Sequence, residues 1–221
     1  MLTKRLAACA KLVTPGGVVC DVGTDHGYLP AYLLQQNICH RAVATDIHKG
    51  PLEAARRTLT EAGVLERAEL LLCDGLEDVC PDGITDVVIA GMGGETIVHI
   101  LEQCPWRQSV RLILQPMTKA SLLRQWLGVH GFDWQDSVIC EGQRYYQLLC
   151  ADYTGTSRAL SPLEQEVGVL TFQTAEEQAY AAQRLAHFRR IAGQTKAVSQ
   201  TVSQQWQSLA EALEQKLEGI L

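Results

Sequence analysis

Short apolar runs alternating with amphipathic stretches leave this chain few architectures. The runs are Val18-Val19-Cys20-Asp21-Val22, Arg41 to Asp46, Ala68 to Cys73, Thr85 to Ala90 and Val110 to Leu114. Each is mostly apolar, broken by one or two charged residues rather than alternating, the pattern of a parallel strand buried on both faces. Helical stretches separate or follow them at about 27–37, 50–62, 94–103 and 119–129, the second ended by Gly63. A short amphipathic helix at about 3–13 comes first and is broken by Thr14-Pro15-Gly16-Gly17. Two more strand-like runs, Phe132 to Cys140 and Tyr145 to Ala151, flank Glu141-Gly142-Gln143-Arg144. That connection is short enough for an antiparallel hairpin.

Five parallel strands closed by a hairpin predict an α/β fold of the class I methyltransferase type, with a Rossmann-like sheet, rather than the all-parallel dinucleotide fold. The character changes from Ser157. Ser161-Pro162-Leu163-Glu164 predicts a helix start, and residues 175–219 contain no proline. Leu185, Phe188 and Ile191 form one helical stripe; Val198, Val202, Trp206, Leu209, Leu213 and Leu217 form another. Gly193 is expected to break the run into an antiparallel, coiled-coil-like pair. The expected division is therefore 1–155 for the sheet domain and 156–221 for a helical domain.

Composition narrows the functional classes. With 221 residues, 47% of them apolar and 20% charged, the chain suits a soluble globular protein. No apolar run approaches the roughly 20 residues that span a bilayer, and no export signal is evident, so a cytoplasmic location is expected. The eight cysteines are scattered without a C-x-x-C pair. They predict reduced thiols and no metal site. The net charge of −6 excludes a uniformly basic nucleic-acid binder, not a local basic footprint. Lys4, Arg5 and Lys11 form one acid-free cluster; Arg107, Arg111, Lys119 and Arg124 form another. Arg184, Arg189, Arg190 and Lys196 form a third, whereas residues 61–102 hold ten acids and only Arg67.

The chemistry-bearing residues gather at strand ends. Asp21-Val22-Gly23-Thr24-Asp25-His26-Gly27 follows the first strand and matches a D-x-G-x-G-x-G loop except that Asp25 replaces the middle glycine. Its carboxylates suit a cationic S-adenosylmethionine better than a pyrophosphate. Alternatively, Asp25 or His26 merely caps the next helix. Asp46 ends the second strand, where an acid can accept hydrogen bonds from ribose hydroxyls. Asp74 and Gly75 end the third, where an acid suits an adenine amino group. Ala90-Gly91-Met92-Gly93-Gly94 leaves the fourth and exposes backbone beside the central crevice; a sharp turn would account for one of its glycines. Gln115-Pro116 ends the fifth, with the glutamine offering a donor and an acceptor to a base edge. Tyr145 and Tyr146 could stack a base, or pack in the core.

In this order, Asp21 to Pro30 (DVGTDHGYLP), Lys49-Gly50-Pro51, Ile89 to Gly94 (IAGMGG) and Leu114-Gln115-Pro116 resemble the bacterial tRNA (adenine-22-N1)-methyltransferase family. The likeness covers residues 3–153 and extends to the helical tail in character. Met117 departs from members that carry Asn after Gln-Pro. The resemblance implies methyl transfer from S-adenosylmethionine to N1 of adenine 22 in tRNA. It places Asp25 and His26 at the reacting centre. Asp21, Gly23, Thr24, Asp25, Gly27, Tyr28, Asp46, Ile47, Asp74, Gly75, Ala90, Gly91, Met92 and Gly93 would hold the cofactor. Lys4, Arg5, Gln115, Pro116, Lys119, Arg124, Tyr145, Arg184, Arg189 and Arg190 would meet the RNA. The chain would act as a monomer or a weak homodimer through its C-terminal helices. Competing readings are a methyltransferase for a small molecule or another RNA, a nicotinamide-dependent oxidoreductase, and a non-catalytic RNA-binding module.

Overall fold

A computed structural model describes residues 2–219. Its centre is β1 (Gly17–Val22), buried along its whole length. In chain order, α1 (Lys4–Leu12) precedes β1; then come α2 (Tyr28–Gln35), β2 (Cys39–Asp46), α3 (Lys49–Glu61), β3 (Ala68–Leu72), β4 (Asp86–Gly93) and α4 (Gly94–Gln103). They continue with β5 (Arg111–Thr118), α5 (Ala120–Val129), β6 (Phe132–Glu141) and β7 (Arg144–Tyr153). The seven strands lie in the order β3-β2-β1-β4-β5-β7-β6. Pairings among the first five are parallel; β7 runs antiparallel to both β5 and β6. The order reverses between β1 and β4, which opens a crevice at their carboxyl ends.

The apolar runs explain this layout. Val19 and Cys20 of β1, Val87 to Ile89 of β4 and Leu112 to Leu114 of β5 are all essentially inaccessible. Helices on both faces cover them, and each large aliphatic side chain contributes roughly 1.5–3 kcal/mol by leaving water. α1 starts where the Thr3 hydroxyl accepts from the Leu6 amide, and buries Cys9 and Ala10. All eight cysteines are free thiols.

The helical part comprises α6 (Pro162–Val167), α7 (Ala175–Thr195) and α8 (Gln200–Glu218). Gly193 does not break the run. It lies inside α7, in open space and with no left-handed backbone, so it costs only its intrinsic helix propensity. The reversal falls at Lys196 to Ser199, where the Ser199 hydroxyl accepts from the Val202 amide and starts α8. Phe188, Ala210 and Leu213 pack between the two helices and, with Phe172 and Tyr180, against Val138 of β6. A buried ion pair reinforces this junction. Arg124 of α5 donates to Asp136 of β6 and to the Gln165 carbonyl of α6.

Candidate active site

The loop after β1 is pinned to its neighbour before any ligand is considered. The Gly23 and Thr24 amides both donate to the Thr45 carbonyl of β2, at 2.8 and 2.9 Å. The Thr24 hydroxyl donates to Asp21 Oδ2 at 2.7 Å, in a site that leaves Asp21 only 5% exposed. Burial pushes the Asp21 carboxyl up to about 6, with the Thr24 hydroxyl acting in the opposite direction. Asp25 takes the backbone conformation that the missing middle glycine would adopt, with φ of 51°. Holding a non-glycine there is costly, and such strain gathers at functional sites. At Gly27 (φ 67°) a Cβ would meet Ala55 at 2.8 Å, so this glycine lets α2 approach α3.

Asp25 and His26 face outward, their side chains 73% and 51% exposed and 3.7 Å apart. The His26 ring stacks on Tyr28 with centroids 5.4 Å apart. Asp46 Oδ1 accepts from the His48 amide at 2.9 Å, while Oδ2 has no partner among the described residues. Opposite, β4 and β5 extend beyond the expected strands, and the glycine-rich stretch remains paired to β5. The register shifts at Ala90 to Met92, where Gly91 adopts φ of 86°, the geometry of a β-bulge.

These elements enclose a cavity of about 360 Å3 lined by Arg5, Leu6, Asp21, Gly23, Thr24, Asp25, His26, Tyr28, Leu29, Asp46, Ala90, Gly91 and Met92. Larger clefts of about 440 and 820 Å3 lie between α7 and α8 and between α6 and α8, but neither combines a strand-end loop with acids. Nine of the fourteen expected cofactor positions line the cavity. Ile47 and Asp74 are exposed beside it, at the adjoining ends of β2 and β3. Gly75 is a packing residue whose carbonyl accepts from Thr45. Gly27 and Gly93 lie outside the lining, the latter heading α4.

Several expected RNA contacts are corrected by their surroundings. Arg124 is fully buried and committed to Asp136, so it presents nothing to RNA. Gln115 is also inaccessible: its Oε1 accepts from Arg5 and Gly91, and its Nε2 donates to the Pro116 carbonyl. Reading a base edge would require breaking that set. Tyr145, half-buried, packs toward Tyr180 at the edge of the core under the helical part and lines a cleft there. Pro116 is buried yet lines clefts toward α7. Lys119, Arg184 and Arg189 pair with Glu95, Glu166 and Glu214, respectively. Arg190 meets Gln194 and His187. Lys4 is exposed. Arg5 enters the cavity, and Leu6 and Leu29 were missed. The helical stripe of α1 showed that it packs, but not which crevice it crosses.

The donor set fits an amphoteric nucleoside: acids for hydroxyls and cations, exposed glycine backbone, and one guanidinium. No cluster suited to a metal occurs among the described residues, and no described helix is long and apolar enough to cross a membrane. Fold and crevice together define a class I methyltransferase, and the family model described as "Methyltransferase domain" matches residues 2–149. The tRNA (adenine(22)-N(1))-methyltransferase of Bacillus subtilis (strain 168) is 34% identical over 172 residues, covering 76% of this chain and 72% of that protein. The chain belongs to the tRNA (adenine-22-N1)-methyltransferase family. The crystal structure of the B. subtilis m1A22 tRNA methyltransferase TrmK superposes with a TM-score of 0.83 at 29% identity, covering 100% of this chain and 99% of that one. TrmK of M. capricolum, in complex with the natural cofactor product S-adenosyl-homocysteine, gives 0.80 at 28% identity, covering 100% and 98%.

Proposed function

We infer that this protein transfers the methyl group of S-adenosylmethionine to N1 of adenine 22 in tRNA. The observation that carries the reading is the cavity between the β1 loop and the β4 bulge, in a chain of this family. Asp21, Gly23, Thr24, Asp46, Ala90, Gly91 and Met92 would hold the cofactor, with Ile47 and Asp74 at its rim. When bound, the cofactor supplies an electrophilic methyl group on a sulfonium.

Adenine N1 carries an in-plane lone pair, so attack requires no prior removal of a proton. The residues have to align the base, exclude water and accommodate the charge that methylation creates. Asp25 stands at the mouth with an exposed carboxylate, suited to stabilise a purine becoming cationic. His26, 3.7 Å from Asp25, would be the second group beside the acceptor. Lys4 and Lys11 of α1, with Arg144, would carry the RNA backbone, joined by Arg184, Arg189 and Arg190 on exchange of their present partners. The protein would work in the cytoplasm as a monomer or weak homodimer, its residues 156–221 serving as the RNA-facing helical domain.

The test is transfer of a labelled methyl group to unmodified tRNA, followed by mapping of the modified base. Label at N1 of adenine 22, absent when guanine replaces it, is the expected result. Label elsewhere, or none, would refute the assignment. Asp25→Ala should abolish turnover while retaining most tRNA affinity; undiminished turnover would remove its catalytic role.

A further inference from the structure

Among the described residues, Arg5 is the only lysine or arginine lining the cavity, and its orientation is fixed from behind. Its Nη1 donates to Gln115 Oε1 at 2.6 Å. That oxygen also accepts from the Gly91 amide at 3.1 Å, while Gln115 Nε2 donates to the Pro116 carbonyl at 3.0 Å. Gln115 is fully buried, and these bonds tie its amide to both β4 and β5. On another side the guanidinium lies 5.8 Å from the Tyr146 ring centroid. A Cβ at Gly91 would stand 3.0 Å from Nη1, so the bulge glycine makes room for the arginine. No carboxylate lies within ion-pair distance of Arg5 among the described residues. One of its five donors is used among the described residues, leaving the others for a ligand.

The charge pattern selects the ligand group. The cavity lining holds three carboxylates, Asp21, Asp25 and Asp46, and a single guanidinium. The amino-acid end of S-adenosylmethionine has the complementary set: a sulfonium and an ammonium, with one carboxylate. We propose that Arg5 is the clamp for the α-carboxylate of the cofactor, and that Gln115 is the positioning residue that aims it. This rests on the cofactor reading above. It reassigns Arg5 from an RNA contact to a cofactor contact, and gives the buried glutamine a role its burial otherwise conceals.

Titration calorimetry with two ligands separates a clamp from a merely structural arginine. S-adenosylhomocysteine carries the carboxylate; 5′-methylthioadenosine keeps the nucleoside and thioether but lacks the amino-acid group. Arg5→Ala should weaken S-adenosylhomocysteine roughly 10- to 100-fold, the scale of a lost charge-assisted hydrogen bond, and leave methylthioadenosine within about twofold. Arg5→Lys should recover part of the loss. Gln115→Glu, nearly isosteric, should weaken S-adenosylhomocysteine selectively by pairing with Arg5. Equal weakening of both ligands in Arg5→Ala, or of neither, would overturn the proposal. Unchanged S-adenosylhomocysteine affinity with weakened tRNA binding would assign Arg5 to a phosphodiester and overturn it too. Failure of the unaltered protein to bind S-adenosylhomocysteine would instead refute the cofactor reading itself.

Discussion

Replacing Arg124 by Met tests whether this arginine supports the junction or meets RNA. Arg124 and Asp136 have side-chain exposures of 0% and 1%, and their closest approach is 2.7 Å. Asp136 Oδ1 accepts from Arg124 Nε and Nη2; its Oδ2 accepts from the Trp134 indole and the Val169 amide. Arg124 Nη1 also donates to the Gln165 carbonyl at 3.0 Å. Arg124→Met preserves much of the side-chain volume but leaves a buried carboxylate without its cation and a carbonyl without its donor. Breaking one side of such a pair costs about 3–5 kcal/mol. For a chain of this size that corresponds to a fall in Tm of roughly 6–20 °C. Urea denaturation monitored by tryptophan fluorescence reads the first quantity, and a thermal scan the second. At a temperature where the variant remains folded, the slope of log affinity for tRNA against log salt should be unchanged. A stability loss below about 1 kcal/mol, or a slope reduced by about one, would refute the structural assignment.

Asp21 should give cofactor binding a pH dependence. Its carboxyl titrates at about 6 instead of 3.8, so the native state holds the proton more tightly than the unfolded chain. The stabilisation from protonation is complete below about 3.8 and lost as pH rises through about 6. S-adenosylmethionine, whose cations favour the ionised acid, should bind more tightly across that step by calorimetry. Asp21→Asn should remove the step, and a flat profile in the unaltered protein would exclude it. At Gly94 a Cβ would stand 2.3 Å from the Lys119 carbonyl oxygen. Gly94→Ala should therefore lower stability by about 1–3 kcal/mol in urea denaturation, through backbone displacement at the α4–β5 contact. Gly193→Ala, in open space inside α7, should be neutral or stabilising by up to about 1 kcal/mol. Similar losses in both variants would undercut the packing argument.

The alternation of apolar runs and helices carried the sheet because parallel strands buried on both faces leave a predominantly apolar signature. The D-V-G-T-D-H-G loop and Asp46 were legible for the same reason: chemistry at a strand's carboxyl end is fixed by local sequence. Long-range partners left no such mark. Nothing beside Arg124 identifies Asp136, twelve residues later on a different element, as its buried counter-charge. Gln115 reads as an exposed base reader until α1 is placed across the same crevice. The α7–α8 reversal was misplaced because glycine permits a break without requiring one, whereas the cap at Ser199 starts a helix.

Pairing also changes where an RNA backbone can find positive charge. The second and third clusters lose much of their free field to Asp152, Asp136, Glu95, Glu166 and Glu214. Lys4 and Lys11 of α1 form no ion pair among the described residues, and neither does the exposed Arg144 at the start of β7. Lys4 and Arg144 lie near one another because the Lys4 amide donates to Glu141, whose residue pairs with Arg144 across the hairpin. The cationic edge thus runs beside Arg5 and Tyr146, at the border of the cavity. In a protein of net charge −6, that arrangement would draw a polyanion to the mouth. Local polarity, rather than overall charge, is what would let an acidic protein orient RNA toward this crevice.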